Sequence, residues 1–493
     1  MICISVNGAS TWELLKNLRS ASRLSDCIEI RTDNARNFSL PTLLNQKVIT
    51  TIFTCHSKLS GGAFSGTENE RLKLLSSAIA SGKFEYVTID ILNSFKPPAY
   101  LKSLLDLARI KNTKVILSYH NFKDTNDDLE TIYQRLKLFK PAVIKIVIYA
   151  QSIRDNFKIF DFAQKITSQN KSKNPKLIAF CMGENGLISR ILYKKFGLFL
   201  TYASYKENME TAEGQISFGD MKYIYRADSL NHKTIIFGLL GYPINHSFSP
   251  LLFNHLFNIR RLNAVYLPFA VTPQHFTKDF SLINDFLKPN GYSVTSPYKI
   301  SVLKLLDKVD GTAREINAVN TICRKGNKLI GINTDWIGAL ESLSPIRKSL
   351  KNRHALILGK GGASSAILYA LKRLNIKSTV FARHTNETGI IKPWNKLSQY
   401  CQGTGKNIIL INTTPVGMFP NDANKSPIKE SLIKKGMVVF DVVYNPIETK
   451  LLRIAKQKGC QVIDGMQMFI SQAMEQFRYF TQHITYRDEL LKK

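Results

Sequence analysis

The chain of 493 residues reads as α/β throughout: a (β/α)8 barrel, then a second α/β unit in two parts. Three observations predict this. Eight β-branched, apolar runs recur through residues 1–225, with helical patterns between most of them. A strand-like run at Thr234–Leu240 then breaks at Gly241 and Pro243 into a polar loop followed by an amphipathic stretch. Farther on, His354–Leu358 leads into the turn Gly359-Lys360-Gly361-Gly362-Ala363-Ser364 and a helical run, the arrangement that aims backbone N–H groups at a pyrophosphate.

Composition bounds the answer. The length is consistent with about three domains. The formal net charge is +31, which alone would permit a nucleic-acid partner. The lysines are spread over both halves, however. Runs such as Lys171-Ser172-Lys173 and Lys434-Lys435 are short and read as solvated faces, so no nucleic-acid partner is expected. No apolar run reaches about 18 residues, so no membrane span is expected. The seven cysteines are scattered without a C-x-x-C pair and read as reduced thiols, with no metal site implied. The opening residues Met1–Ser10 read directly as a strand and its exit, so a cytoplasmic location is the expectation. The oligomeric state is left open.

In the first half, the eight runs are Ile2–Val6, Cys27–Ile30, Val48–Phe53, Tyr86–Ile91, Lys114–Ser118, Val143–Ile148, Lys176–Cys181 and Leu198–Tyr202. Helical patterns such as Glu70–Ile79, Tyr100–Ile110 and Leu129–Phe139 separate them. Active groups of a β/α barrel sit at the C-terminal ends of its strands. Glu29, Arg31 and Asp33 follow the second run, and His56 follows the third; Asp90 is in the fourth and His120 lies just past the fifth. Lys145 interrupts an otherwise apolar sixth run. A buried ammonium is costly and tends to become a nucleophile, although a lysine that snorkels out or pairs with Asp90 would read the same way. A lysine and a histidine on adjacent strands suit imine chemistry, one forming the imine and the other moving protons.

Five segments carry a family likeness: Glu29-Ile30-Arg31-Thr32-Asp33, Ser118-Tyr119-His120, Ile144-Lys145, Met182-Gly183 through Ser189-Arg190, and Gly214-Gln215. With them, residues 1–226 resemble a type I 3-dehydroquinate dehydratase. The resemblance implies that Lys145 forms an imine with the substrate ketone and that His120 is the general acid and base. It implies that Glu29 and Arg31 hold ring hydroxyls and that Arg190 and Gln215 hold the carboxylate. His56 and Thr211 fall on substrate-binding positions where relatives usually carry arginine and serine. Ser60 stands where a glutamate is usual, and Glu213 where proline is common. These departures bear on affinity and rate, because a fork of donors is exchanged for an imidazole.

After the polar linker Ala227–Lys233, the loop His246-Ser247-Phe248-Ser249-Pro250 offers two hydroxyls and free N–H groups before a helix, a suitable seat for a carboxylate. The segments Ser293-Val294-Thr295-Ser296-Pro297-Tyr298-Lys299, Asn317-Ala318-Val319-Asn320-Thr321 and Gly331-Ile332-Asn333-Thr334-Asp335 follow. The second half is thereby similar to shikimate dehydrogenases, with Ser293 in place of the usual asparagine. The likeness implies Lys299 and Asp335 as the catalytic pair and Ser247, Ser249, Thr295 and Asn320 as binders of the substrate. Tyr444 and Gln472 are expected to join them. Residues 234–338 would form the substrate domain, completed by helix 465–493, and residues 339–464 a Rossmann-type cofactor domain. Gly359, Gly361, Gly362, Ala363, Ser364, Thr413 and Gly465 are expected against the cofactor. Arg383 follows the next strand, where a cofactor without a 2′-phosphate would call for an acid; it favours NADP. Ala382 and His384 flank it where asparagine and threonine are usual. The two halves together imply one bifunctional enzyme that dehydrates 3-dehydroquinate and reduces the product with NADPH. The alternatives are a second half preferring quinate and NAD, or, suggested only by the charge of +31, a nucleic-acid-binding protein built on inactive enzyme domains.

Overall fold

The computed structural model describes residues 1–45, 51–91, 99–168, 174–245, 247–383 and 391–482. Val48–Thr50 of the expected third strand, Lys171-Ser172-Lys173, His246, His384, Thr385 and residues 483–493 lie outside the described residues. The chain divides into two units. One is Met1–Ile235 with Asn254–Leu267 and Lys278–Phe286; the other is Ile236–Phe253, Pro268–Thr277 and Leu287–Lys493.

The first unit is built on eight strands: β1 (Ile2–Val6), β2 (Ile28–Arg31), β3 (Thr51–Thr54), β4 (Tyr86–Asp90), β5 (Lys114–Asn121), β6 (Val143–Tyr149), β7 (Lys176–Met182) and β8 (Thr201–Ser204). Their spatial order is β7-β6-β5-β4-β3-β2-β1-β8, and each neighbouring pair is parallel. Phe199, just before β8, donates from its N–H to Leu177 of β7 at 2.8 Å, which draws the two ends of the sheet together. Parallel strands buried on both faces need apolar side chains on both, and these runs supply them. Cys3, Ile52, Ile116, Val143, Ile178 and Leu200 meet in one cluster.

Of the strand boundaries that differ from expectation, one bears on the chemistry. β5 continues through His120 to Asn121, because β6 keeps pairing with it as far as Asn121↔Ile148. His120 therefore sits inside the strand, at its C-terminal end, with a fixed backbone. The same register sets Ser118 beside Lys145.

Two six-stranded sheets follow. The first contains β9 (Ile235–Gly241), β10 (Ala264–Ala270), β11 (Gly291–Val294), β12 (Lys308–Val309), β13 (Thr321–Lys325) and β14 (Lys328–Ile332). Its order is β10-β9-β11-β13-β14-β12, with β13 antiparallel to both neighbours. The second contains β15 (His354–Leu358), β16 (Lys377–Ala382), β17 (Ile391–Pro393), β18 (Ile408–Asn412), β19 (Val438–Asp441) and β20 (Gln461–Ile463). Its order is β17-β16-β15-β18-β19-β20, parallel throughout. This is the doubly wound order, and ligands of such sheets bind where the order reverses, here between β15 and β18. Helix Gly465–Thr481 caps its first turn with Asp464, whose carboxylate accepts from Met466 N–H at 2.9 Å.

Two candidate active sites

The first cavity opens among the C-terminal ends of the barrel strands. Glu29, Arg31, His56, His120, Lys145, Arg190, Thr211 and Gln215 all line it. Every residue expected of this centre is thus brought to one place. Lys145 is 5% exposed on β6. Its Nζ lies 3.8 Å from Glu29 Oε1 and 4.2 Å above the Tyr202 ring. The partner is therefore Glu29, not Asp90. Glu29 is already engaged, accepting from Ser5 at 2.7 Å and Thr54 at 3.0 Å. Burial pushes the Lys145 amine below its ordinary range; Glu29 opposes this and Arg31 adds to it. Lys145 in turn helps to hold the buried Glu29 carboxylate below its usual value.

His120 is driven well below the ordinary imidazole range by burial, with the charges of Lys145 and His56 adding to the effect. It is consequently neutral and able to accept a proton. Phe122 stacks on it at 5.7 Å. His56 gives its Nδ1 to both oxygens of Asp90, at 2.7 and 2.8 Å.

Across the cavity, Arg31 is locked bidentately on Asp33, both bonds 2.9 Å. Arg190 is the opposite case. It is 0% exposed, and Nη2 makes one long bond of 3.4 Å to Glu213 O. Nε and Nη1 have no partner among the described residues. The guanidinium rests on the Phe180 ring at 4.4 Å, and burial pulls its pKa down to about 10. An unpaired buried cation is costly, so this arrangement is built to be completed by an anion. Gln215 accepts from Thr211 N–H at 2.8 Å, which fixes both beside Arg190. Gly214, at φ +73°, allows the close approach: a Cβ there would come within 2.1 Å of Gly183 O.

The second cavity is lined by Ser247, Ser293, Thr295, Lys299, Asn320, Asp335, Tyr444, Gln472 and Gln476, and also by Ala363, Thr413 and Gly465. Lys299 Nζ donates to Asp335 Oδ2 at 2.6 Å. Asp335 opens the helix Asp335–Leu343 directly after β14, and Asn333 Oδ1 accepts from its N–H at 3.0 Å. Asn320 Nδ2 donates to Asp335 Oδ1 and to Thr334 Oγ1, each at 2.9 Å. Gln472 Oε1 lies 3.2 Å from the same nitrogen. Tyr444 reaches within 3.4 Å of Ser247 Oγ and stacks on Phe469 at 4.4 Å. Ser249 is buried at the start of its helix, where its N–H donates to Ser247 Oγ at 3.2 Å, and it does not line the cavity. Sequence reasoning passed over Gln476, one helical turn beyond Gln472. Gln476 Oε1 accepts from Ser293 Oγ at 2.6 Å and its Nε2 donates to Asn320 O at 3.0 Å. The i, i+4 spacing was the available signal.

The glycine turn fits a dinucleotide. Gly359, at φ +109°, packs on Thr413. A Cβ on Gly362 would approach Lys299 Cβ to 2.7 Å, so only glycine lets the turn come against the lysine. Ser364 Oγ, in the first turn of helix Gly362–Arg373, is buried without a partner among the described residues. Arg383 stands exposed at the end of β16. Gly359, Gly361, Gly362, Ser364 and Arg383 frame the turn and do not line the cavity itself.

A lysine-centred barrel cavity and a Lys–Asp pair beside a dinucleotide turn define an α/β enzyme with two active centres, the second of them an oxidoreductase. Comparison with known proteins gives the particular pair. Residues 2–232 match the family described as type I 3-dehydroquinase, and residues 239–322 the shikimate dehydrogenase substrate binding domain. The chain is 33% identical to the chloroplastic bifunctional 3-dehydroquinate dehydratase/shikimate dehydrogenase of Arabidopsis thaliana, across 98% of this chain and 82% of that protein. It is 40% identical to the shikimate dehydrogenase (NADP(+)) of Methanococcus aeolicus, across 51% of this chain and 94% of that one. A solved shikimate dehydrogenase of Aquifex aeolicus shares 38% identity, with 51% and 94% coverage and a TM-score of 0.46. The chain belongs to the bifunctional 3-dehydroquinate dehydratase/shikimate dehydrogenase family. It carries both activities, and its reductase half is NADP-dependent.

Proposed function

We propose that Lys145 attacks the ketone of 3-dehydroquinate and holds it as an imine. The observation that carries this is a lysine buried at 5% exposure in a barrel strand, its amine favoured in the neutral form by desolvation. The protonated imine withdraws electrons and acidifies the adjacent C–H. His120, neutral and on the neighbouring strand, removes that proton. Arg190 and Gln215 hold the carboxylate, Glu29 and Arg31 the ring hydroxyls, with His56 and Thr211 also at the substrate. Borohydride added with 3-dehydroquinate should leave a mass adduct on the peptide containing Lys145 and inactivate the dehydratase irreversibly. An adduct elsewhere, or dehydration at the unmutated rate in Lys145→Ala, refutes the assignment.

In the second centre we assign Lys299 as the proton donor to the carbonyl oxygen and Asp335 as the group that orients it. Ser247, Thr295, Asn320, Tyr444 and Gln472 would hold the carboxylate and hydroxyls of 3-dehydroshikimate, and Ser249, expected among them, would act through Ser247, to which its N–H donates. NADPH, when bound, supplies the hydride. Gly359, Gly361, Gly362, Ala363 and Ser364 would offer backbone donors to its pyrophosphate, and Arg383 would meet the 2′-phosphate. Thr413 and Gly465 would line the nicotinamide end. We assign three domains to this work: 1–226, 234–338 completed by 465–493, and 339–464. A cytoplasmic location accords with seven unpaired cysteines. Among the described residues no helix is long and apolar enough to cross a membrane.

A further inference from the structure

The barrel cavity contains a second imidazole that the scheme above leaves without a chemical task. His56 is 3% exposed and lines the cavity. Its Nδ1 is committed to Asp90, 2.7 Å from one oxygen and 2.8 Å from the other. Nε2 is therefore the nitrogen left to face a ligand. Asp90 is itself held in place: Ser118 Oγ donates to it at 2.6 Å, and Arg71 Nη1 lies 3.9 Å away. Arg71 also ties the loop after β3 to this point by donating to Cys55 O at 2.9 Å. The His56 ring meets His120 edge-on, with centroids 5.2 Å apart. His120 has the contrary wiring: its Nδ1 is buried with no partner among the described residues. A carboxylate on Nδ1 orients an imidazole and stabilises its protonated form. One imidazole is thus oriented by a carboxylate, and the other, among the described residues, is not.

We propose that His56, held by Asp90, is a second general acid–base group of the dehydratase centre, the one that protonates the departing hydroxyl. This rests on the reading that His120 takes a proton from an imine on Lys145. His120 receives the proton of the carbon next to the imine carbon, and the electron pair moves toward the imine nitrogen. The pair then returns and expels the hydroxyl on the following carbon. As that C–O bond breaks, Nε2–H of His56 gives its proton to the oxygen, and water leaves. His120 ends protonated and His56 neutral; exchange with solvent restores both.

The full chain, with His56→Gln and Asp90→Asn variants, tests this with 3-dehydroquinate in deuterium oxide. Four quantities are read: dehydration kcat, dehydration KM, deuterium entering unreacted substrate, and the borohydride adduct at Lys145. In His56→Gln the adduct should form and exchange should stay within about tenfold of the unmutated rate, because C–H cleavage does not need His56. The dehydration kcat should fall roughly 10²- to 10⁴-fold with KM little changed, the range expected for a positioned acid. Asp90→Asn, which leaves both imidazoles in place, should preserve exchange and lower kcat about tenfold or more. Exchange and dehydration falling in the same ratio, an effect confined to KM, or an unchanged kcat in Asp90→Asn each overturn the assignment. Failure of the unmutated enzyme to form the adduct overturns the imine reading and this assignment with it; parallel losses with the adduct intact overturn this assignment alone.

Discussion

Replacing Arg190 by methionine should weaken catalysis and strengthen the fold at once. The side chain is fully buried, and two of its nitrogens have no partner among the described residues. If the substrate carboxylate completes them, two charge-assisted hydrogen bonds of about 1.5–3 kcal/mol each disappear on substitution. The sum, about 3–6 kcal/mol, corresponds to a fall of roughly 10²- to 10⁴-fold in dehydratase kcat/KM. The free protein moves the other way. A pKa drawn down from 12.5 to about 10 by burial marks a strained charged form, worth about 3 kcal/mol at this 0% exposed site. Losing the contact with the Phe180 ring returns about 1 kcal/mol of that. Methionine fills similar space without the charge, so a net gain of about 1–2 kcal/mol is expected. Steady-state kinetics on 3-dehydroquinate gives the first quantity, and hydrogen exchange of the β7 peptide gives the second without assuming that the whole chain unfolds together. Faster exchange in Arg190→Met together with kcat/KM within threefold of the unmutated enzyme would refute the reasoning.

Three further outcomes are expected. Lys299→Ala should cut reductase turnover by 10²-fold or more, the usual scale for a lost proton donor, and leave dehydration unchanged; loss of both activities would make the residue structural. Arg383→Ala should raise the KM for NADPH and leave that for NADH alone, since only the former carries a 2′-phosphate; equal use of both cofactors by the unmutated enzyme would sink the assignment. The barrel should lose stability in acid. Glu29 and Asp90 are both held below their ordinary values of 4.5 and 3.8, Glu29 by Lys145 and Asp90 by His56, against the opposing effect of burial. A carboxylate depressed in the folded state contributes stability that is present above its unfolded pKa and is lost as pH falls through the folded one. Circular dichroism should therefore show unfolding that begins below about pH 4. Asp90→Asn should flatten that dependence; an unchanged acid transition would count against it.

Much of this architecture was legible because strand and helix periods are local properties. The apolar run around Lys145 announced both a buried strand and an anomalous amine. The identity of the lysine's partner was not legible: β4 and β2 both bring carboxylates toward the barrel interior, and only the register of the sheet decides that Glu29 faces Lys145 while Asp90 faces His56. The His56 substitution could be read only as the loss of an arginine fork, because the carboxylate that gives the imidazole its role lies 34 residues away. The same limit hid Gln476. Its i, i+4 spacing from Gln472 marks a shared helix face, but not its partner, because Ser293 lies 183 residues away. Ser249 shows the converse: its place in a family motif suggested contact with substrate, whereas here its N–H serves to position Ser247.

The helix Gly465–Thr481 contributes Gln472 and Gln476 to the reductase cavity, and it follows every other segment that lines it. The lining of the barrel cavity, by contrast, is complete at Gln215. During synthesis the two centres therefore mature at different times. A ribosome that has passed the barrel has released all the residues of the dehydratase cavity, while the reductase lacks one wall until some 260 further residues have emerged, about 13–50 s later at ordinary elongation rates. A chain interrupted in that interval would carry a dehydratase without a consumer for its product.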